Sequence, residues 1–200
     1  ANVNVSGTST APTSNQAGSS KYIQYGDLPN GSTFPDLSDP VYTMQISKYF
    51  KLKDILGVPT SEAGHPPAKQ IAWNYVLLCQ NILDPVRDRY NFKINSGYRS
   101  HATNVSKGRS YFSPHEYGIA ADIDPGNATQ NFELWKYIIR SGLKFNHVIY
   151  EWTWVHVAYD GGQQRPQPIQ VKTTQNGPPY RKFSMDQIDQ AIQFASQFVR

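Results

Sequence analysis

An aspartate inside an apolar, strand-like run is the feature that most constrains how this chain folds. Asp122 lies within residues 119–123, whose other members are isoleucine and alanine. Burying a carboxylate in such surroundings is costly unless a partner offsets its charge, and a bound cation is one such partner. In a strand, Asp124 points to the same face as Asp122. The run therefore predicts a strand with a cation-binding carboxylate, and it leaves open which of the two aspartates binds.

Two histidines stand in positions from which they could complete such a site. His115 lies on a loop constrained by Pro114 and Gly118, and six residues separate it from Asp122. His156 lies in the strand-like run 154–159, after the run 145–151. Imidazole nitrogens and a carboxylate oxygen are zinc ligands, and three protein ligands leave a fourth position for water. The pattern favours a zinc centre, although the helix-borne HExxH motif of many metallopeptidases is absent.

A glutamate near His156 is the candidate general base. If Trp152 and Thr153 form a two-residue turn, Glu151 faces Trp154 and shares a face with His156, at roughly 7 Å. A carboxylate at that distance can accept a proton from a water on the metal. His147 shares this face and is the second candidate for a catalytic or supporting role. The sequence Trp-Thr is nevertheless poor turn chemistry, since neither residue favours positive φ.

The order of apolar periods and turn residues predicts a single α+β domain, with helices packed on a small antiparallel sheet that carries the zinc site. We expect residues 1–46 to be a flexible leader followed by an extended arm, residues 47–162 to be the domain that carries the zinc site, and residues 163–200 to be a loop and an amphipathic helix. The predicted helices are 51–56, 69–89 with an interruption at Pro85, 132–140 and 184–199. The predicted strands are 92–95, 119–124, 145–151 and 154–159.

Composition excludes several other classes of protein. The net charge of +4 in 200 residues comes from scattered cations, so we expect no nucleic-acid binding. No run approaches the roughly 20 apolar residues that span a bilayer, so we expect no membrane insertion. The N-terminus lacks a secretory signal pattern. The single cysteine, Cys79, excludes an internal disulfide and a Cys-based zinc site, and its apolar neighbours predict burial.

Three segments and one single residue together resemble the M15 family of D-alanyl-D-alanine carboxypeptidases and peptidoglycan endopeptidases. They are SGYRS (96–100), Asn104, SPHEYGIAADID (113–124) and EWTWVHVAY (151–159). The resemblance implies that His115, Asp122 and His156 bind Zn²⁺ and that Glu151 is the general base, although several relatives place the glutamate three residues before the last histidine rather than five. It also implies that Arg99 binds substrate and stabilises the oxyanion, with Ser113 and Tyr98 beside the site.

The same resemblance implies a substrate and a place of action. The substrate is bacterial peptidoglycan, cut in its stem peptides by a metal-activated water, and both a carboxypeptidase and an endopeptidase remain open. The alternative is a bacteriophage virion component that retains the peptidase fold, with or without activity. In that case residues 1–46 or the C-terminal helix contact other virion proteins. We expect action at the bacterial cell wall, from a phage particle or a host-cell lysate.

Overall fold

The computed structural model describes residues 21–57, 67–109 and 112–199. It confirms the predicted α+β class: helices pack against a six-stranded, mostly antiparallel sheet. The leader predicted for residues 1–20 lies outside the described residues. The helices are α1 (Leu52–Leu56), α2 (Ala68–Leu78), α3 (Asp84–Arg87), α4 (His101–Ser106), α5 (Ala128–Arg140) and α6 (Ile188–Ser196). The strands are β1 (Lys93–Ser96), β2 (Ala120–Asp124), β3 (His147–Tyr150), β4 (Val155–Ala158), β5 (Ile169–Thr174) and β6 (Gly177–Phe183).

The sheet has the strand order β1-β2-β4-β3-β5-β6. Strands β3 and β5 run parallel, and the other neighbouring strands run antiparallel. One face of the sheet is fully buried by apolar residues such as Val157 and Tyr150, and the ring of Tyr150 packs against Trp135 of α5. Because side chains alternate along a strand, Asp122, His147 and His156 of the central strands point to the opposite face.

Helix α5 shows how the local sequence sets the helical layer. Asn127 caps its first turn by accepting a hydrogen bond from the Gln130 amide at 2.9 Å. Trp135 and Ile138 are fully buried on one side. The helix stops at Arg140, and Gly142 follows with φ of 77°. The helix ends where the predicted helix 132–140 ends, but it begins one turn earlier than the apolar period indicated.

The helix predicted for residues 69–89 is interrupted, as Pro85 indicated. The α-helical pattern changes to a π-helical segment at Cys79–Leu83 and resumes as α3. A proline has no amide hydrogen to donate to the preceding turn. The π-helical segment ends at Leu83, two residues before Pro85, so the interruption lies on the N-terminal side of the proline. Cys79 is fully buried, in agreement with its predicted role as a small apolar residue.

The prediction that only a loop lies between residue 162 and the C-terminal helix is wrong. Strand β5 and the start of β6 lie there and form a hairpin around Gln175 and Asn176. The strand forms because Ile169 and Val171 are fully buried on the apolar face of the sheet. The many proline and glutamine residues of this stretch concealed the short alternation of apolar and polar residues in β5. The dipeptide Asn176-Gly177 is typical of a hairpin turn, and the prediction did not use it.

The segment 21–46 is not an arm separate from the folded unit. It has little regular structure beyond two 3-10 turns, Tyr25–Asp27 and Pro40–Thr43. Its apolar residues nevertheless belong to the same hydrophobic cluster as the helices, and Ile23 and Ile46 are almost completely buried. Single anchors separated by turns give no periodic signal. The core therefore starts at least as early as Ile23.

The apolar side of helix α6 packs against the hydrophobic core of the same chain. Ala191 and Ala195 are fully buried, and Phe194 and Phe198 pack against the core cluster. Ser184 is the N-cap of the 3-10 turn Met185–Gln187, which opens the helical region with a capping box. Within the part of the chain that the structure describes, no helix has the length and apolar character needed to cross a membrane.

Gly118 is a position where the fold leaves no room for a side chain. Its φ is 75°, and an added Cβ would lie 2.4 Å from the carbonyl oxygen of Ile71 in α2. Gly142 has a similar φ of 77°, but a Cβ added there would have no contact within 4 Å among the described residues. Its substitution therefore measures only the cost of placing a non-glycine residue at positive φ. We expect Gly142→Ala to lower the free energy of unfolding by about 1 kcal/mol and Gly118→Ala by about 3 kcal/mol or more. Urea denaturation measures both, and equal losses would contradict the close approach to α2.

Candidate metal centre

Asp122 and His156 are direct neighbours across the middle of the sheet. They pair in the register between β2 and β4, and His156 Nδ1 lies 2.9 Å from Asp122 Oδ1. The flanking Ala121 and Val157 are fully buried on the other face, which fixes the direction of both polar side chains. The central strands therefore carry Asp122 and His156, as the sequence predicted.

His115 reaches the same point from the loop before β2. Its Nδ1 lies 2.7 Å from the carbonyl oxygen of Gly97, which can only accept a hydrogen bond, so Nδ1 carries the proton. The unprotonated Nε2 then points to Asp122 Oδ1 at 3.3 Å and to His156 Nδ1 at 3.2 Å. The buried hydroxyl of Tyr75 also donates toward the carbonyls of His115 and Ala120, which ties the loop to β2.

The three side chains form a group that could hold a metal ion. One ligand atom from each of His115, Asp122 and His156 lies within 4.8 Å of the others, and all three residues are buried. Asp124, the alternative that spacing left open, has other partners. Its Oδ1 accepts from the Gly126 amide at 2.8 Å, and its Oδ2 lies 3.8 Å from Lys93 Nζ. The arrangement therefore brings together the set that includes Asp122.

The charge of Asp122 is strongly favoured in this setting. Burial acts to raise its pKa, but His115 and His156, when they carry a proton toward the carboxylate, outweigh burial and hold the pKa of Asp122 well below its usual range. A bound metal ion would take the place of these protons. The guanidinium of Arg99 adds to this, with Nη1 at 3.8 Å from Oδ2. A permanently charged carboxylate beside two imidazole nitrogens suits a divalent cation.

A chain of two further residues sets the tautomer of His156. The amide of Asn146 donates through Nδ2 to the Gln163 carbonyl at 2.9 Å, so its Oδ1 accepts from His147 Nδ1 at 2.8 Å. Burial, and after it the charge of His156, lower the pKa of His147 to about 2, so His147 is neutral. Its Nε2 then accepts from His156 Nε2 at 3.1 Å, which leaves His156 Nδ1 free to bind a metal.

The hydrogen bonds that link Asn146, His147 and His156 predict a role for His147 in metal affinity. We expect His147→Phe to weaken zinc binding about 10- to 100-fold, because His156 loses the acceptor that orients its ring. Competition with a chromophoric chelator measures the affinity. His101→Phe is the matched control, since His101 contacts Glu116 instead. Unchanged zinc affinity in His147→Phe would contradict this role.

Glu151 lies directly after β3, with its amide bonded to the Trp154 carbonyl at 3.1 Å. It lines the same cleft as the metal ligands, and His147 and Ile149 line it too, so the predicted shared face is observed. Burial raises the pKa of Glu151, and the charge of His156 partly offsets this effect. A carboxyl with a raised pKa is a stronger proton acceptor than an ordinary one.

The turn beside Glu151 is strained and anchored from outside. Trp152 has φ of 69°, and the Thr153 amide bonds to the Glu151 carbonyl at 2.8 Å. These are features of the rarer γ-turn with positive φ. The Trp152 indole donates to the Lys172 carbonyl at 3.0 Å and stacks on Phe198 with ring centres 5.5 Å apart. The hairpin β5–β6 and the region after α6 therefore hold the turn that carries Glu151.

Arg99 and Tyr98 point in different directions, as successive residues of an extended segment do. Arg99 lines the cleft, and its Nε is buried without a hydrogen-bond partner among the described residues. Tyr98 packs its ring against Phe34 at 5.0 Å and is not among the described residues that line the cleft. Ser113 does line the cleft, and its Oγ accepts from the His115 amide at 3.3 Å. Its hydroxyl supports the histidine loop.

The cleft above the metal ligands has a volume of ≈ 340 Å³. Sequence reasoning missed one of its walls, which comes from the hairpin β5–β6 and the loop before it. It also missed Arg109, which follows α4 by three residues. A further residue that it missed is Glu116, a buried carboxylate that accepts from Asn104 and ties the histidine loop to α4. The residues that the hairpin side contributes are Arg165, Gln170, Tyr180 and Lys182.

Comparison with known proteins agrees with this geometry. The family model described as Peptidase M15 matches residues 49–158, which is more than half of the chain. The matched region contains all three metal-binding candidates together with Arg99 and Glu151. No curated protein matches the chain. From the extent of the family match, the chain belongs to the peptidase M15 family.

Proposed function

We propose that the protein is a zinc-dependent peptidase that hydrolyses peptide bonds in the stem peptides of bacterial peptidoglycan. The observation that carries the proposal is the buried group of His115, Asp122 and His156 at the floor of a cleft that Glu151 and Arg99 also line. Two imidazoles and one carboxylate are a catalytic zinc donor set, and they leave one side open to the cleft.

A zinc ion bound by these ligands would activate a water and polarise the scissile carbonyl. Glu151 takes the proton of the attacking water, because burial raises its pKa and favours the protonated form. The same carboxyl then donates this proton to the nitrogen of the leaving amine. The Glu151 carboxyl therefore carries the proton from the attacking water to the leaving amine.

Arg99 is our candidate for stabilising the oxyanion. Its Nη1 lies 3.8 Å from Asp122, and its Nε is buried and has no partner in the described part of the chain. A buried donor without a partner is costly, and a developing negative oxygen on the substrate would satisfy it. The guanidinium also stays charged throughout the working pH range. The same group serves a terminal carboxylate in a carboxypeptidase or a carbonyl oxygen in an endopeptidase.

The test uses purified peptidoglycan fragments incubated with the protein, with a chelator, and with the chelator followed by zinc. We expect mass spectrometry to show new products that the chelator abolishes and zinc restores. The product masses identify the bond and distinguish carboxypeptidase from endopeptidase action. Zinc binding without any cleavage of peptidoglycan fragments would overturn the proposed substrate.

We further propose that the enzyme acts at the cell wall as a bacteriophage lysis enzyme or virion component, the placement that the Ser/Thr/Asn-rich leader suggests. Cofractionation with purified particles supports the virion form. Recovery in the host lysate alone supports the lysis enzyme. Detection in uninfected bacterial cells would contradict both.

A further inference from the structure

A row of side chains crosses the sheet from the metal site to its far edge. In the register, Asp122 faces His156, His156 faces Ile149, Ile149 faces Gln170, and Gln170 faces Lys182. All five line the cleft. The row therefore forms a continuous floor that begins at the metal ligands and ends at a cation on β6.

The far end of this floor is positively charged. Lys182 and Arg165 both line the cleft and are exposed, and neither forms an ion pair with a carboxylate in the described ranges. The backbone holds both residues at the cleft floor, since Lys182 pairs with Gln170 and the Arg165 amide donates to the carbonyl of Asn146, next to His147. The carboxylates that line the cleft, Asp122 and Glu151, lie at the metal end. The hairpin end can therefore receive a negative group from a ligand.

We propose that Arg165 and Lys182 form an anion subsite that binds a free carboxylate of the peptide substrate, away from the scissile bond. This inference rests on the proposed function and deepens it. Both residues lie beyond the region 49–158 that matches the family, so the subsite belongs to the C-terminal part of this chain. It assigns to the hairpin β5–β6 a role in substrate selection, in addition to its support of Trp152.

The geometry limits where that carboxylate stands on the substrate. Three strand-to-strand steps separate His156 from Lys182, which is about 14 Å at roughly 4.8 Å a step. An extended peptide covers about 3.3–3.6 Å per residue, so this span corresponds to about four residues. The long side chains of lysine and arginine shorten the distance. The carboxylate therefore lies about two to four residues from the cleaved bond, within the length of a stem peptide.

The experiment compares two forms of one stem tetrapeptide. In the free form, the side-chain and α-carboxylates along its length are unmodified. In the amidated form, the internal carboxylates are amidated. We expect the wild type to prefer the free form in kcat/KM. Arg165→Met combined with Lys182→Met should lower kcat/KM for the free form on the order of 10-fold, mainly through KM. The amidated form should be cleaved equally by both proteins. Arg181→Met is the matched control, because Arg181 is next to Lys182 and packs over Phe183 on the other face.

Direct binding of both peptides, measured by calorimetry, separates this inference from the peptidase proposal. Binding that depends on the carboxylates and is lost in the double variant supports the subsite, even if no peptide is cleaved. Cleavage with equal preference for the two peptides, or a double variant that equals the wild type, overturns the subsite and leaves the peptidase proposal intact. The same loss in Arg181→Met would reduce the effect to net charge and also overturn the subsite.

Discussion

Replacing Asp122 by alanine is expected to abolish zinc binding and to lower kcat/KM at least about 1,000-fold. A zinc ion at this site would contribute several kcal/mol of transition-state stabilisation, and a loss of about 4 kcal/mol corresponds to that factor. The variant also leaves His115 and His156 in contact without the carboxylate that joins them. Zinc content after dialysis and the rate of peptide cleavage measure the two effects.

The sheet offers a matched control on the same strand. Asp124→Ala removes a carboxylate two residues away that bonds to the Gly126 amide and faces Lys93. We expect this variant to keep stoichiometric zinc and most of its activity, with a loss confined to stability. If Asp124→Ala lost the metal and Asp122→Ala kept it, the assignment of the ligands would be wrong. Circular dichroism of both variants shows whether each remains folded.

The elements that the sequence predicted best are those in which one local signal sufficed. The runs 119–124, 145–151 and 154–159 have short apolar stretches, and each holds a strand. Their lengths also predicted the register, since a two-residue turn at Trp152-Thr153 places Glu151 opposite Trp154. The choice of Asp122 over Asp124 came from the family resemblance, because alternation puts both on one face.

The elements that escaped prediction depend on distant contacts. Residues 21–46 join the core through isolated side chains such as Ile23, which no periodicity reveals. The turn at Trp152 adopts positive φ because Lys172 and Phe198 hold the indole. Tertiary contacts there override the local preference of tryptophan. The basic wall of the cleft was hidden for the same reason, since its residues meet the metal site only after β5 joins β3.

Glu151→Gln is expected to lower kcat about 100- to 10,000-fold while zinc affinity stays unchanged. The amide keeps the size of the side chain but cannot accept the proton of the attacking water. Glu133→Gln is the control, because Glu133 is partly exposed on α5 and pairs only with Lys136 among the described residues. Zinc titration of the same samples separates a lost base from a lost metal.

The pH profile gives an independent test of the same group. Since burial raises the pKa of Glu151, the acid limb of kcat/KM should lie above the usual range of a glutamate, and activity should fall as the pH falls through it. Glu151→Gln should remove this limb from its residual activity. If the variant kept full activity, Glu151 would not be the base, and another residue on the same face would be the first alternative. His147 is the nearest candidate by position, but a pKa of about 2 makes it a poor acceptor, and its Nε2 already accepts from His156. Full activity in Glu151→Gln would therefore favour a mechanism without a side-chain base.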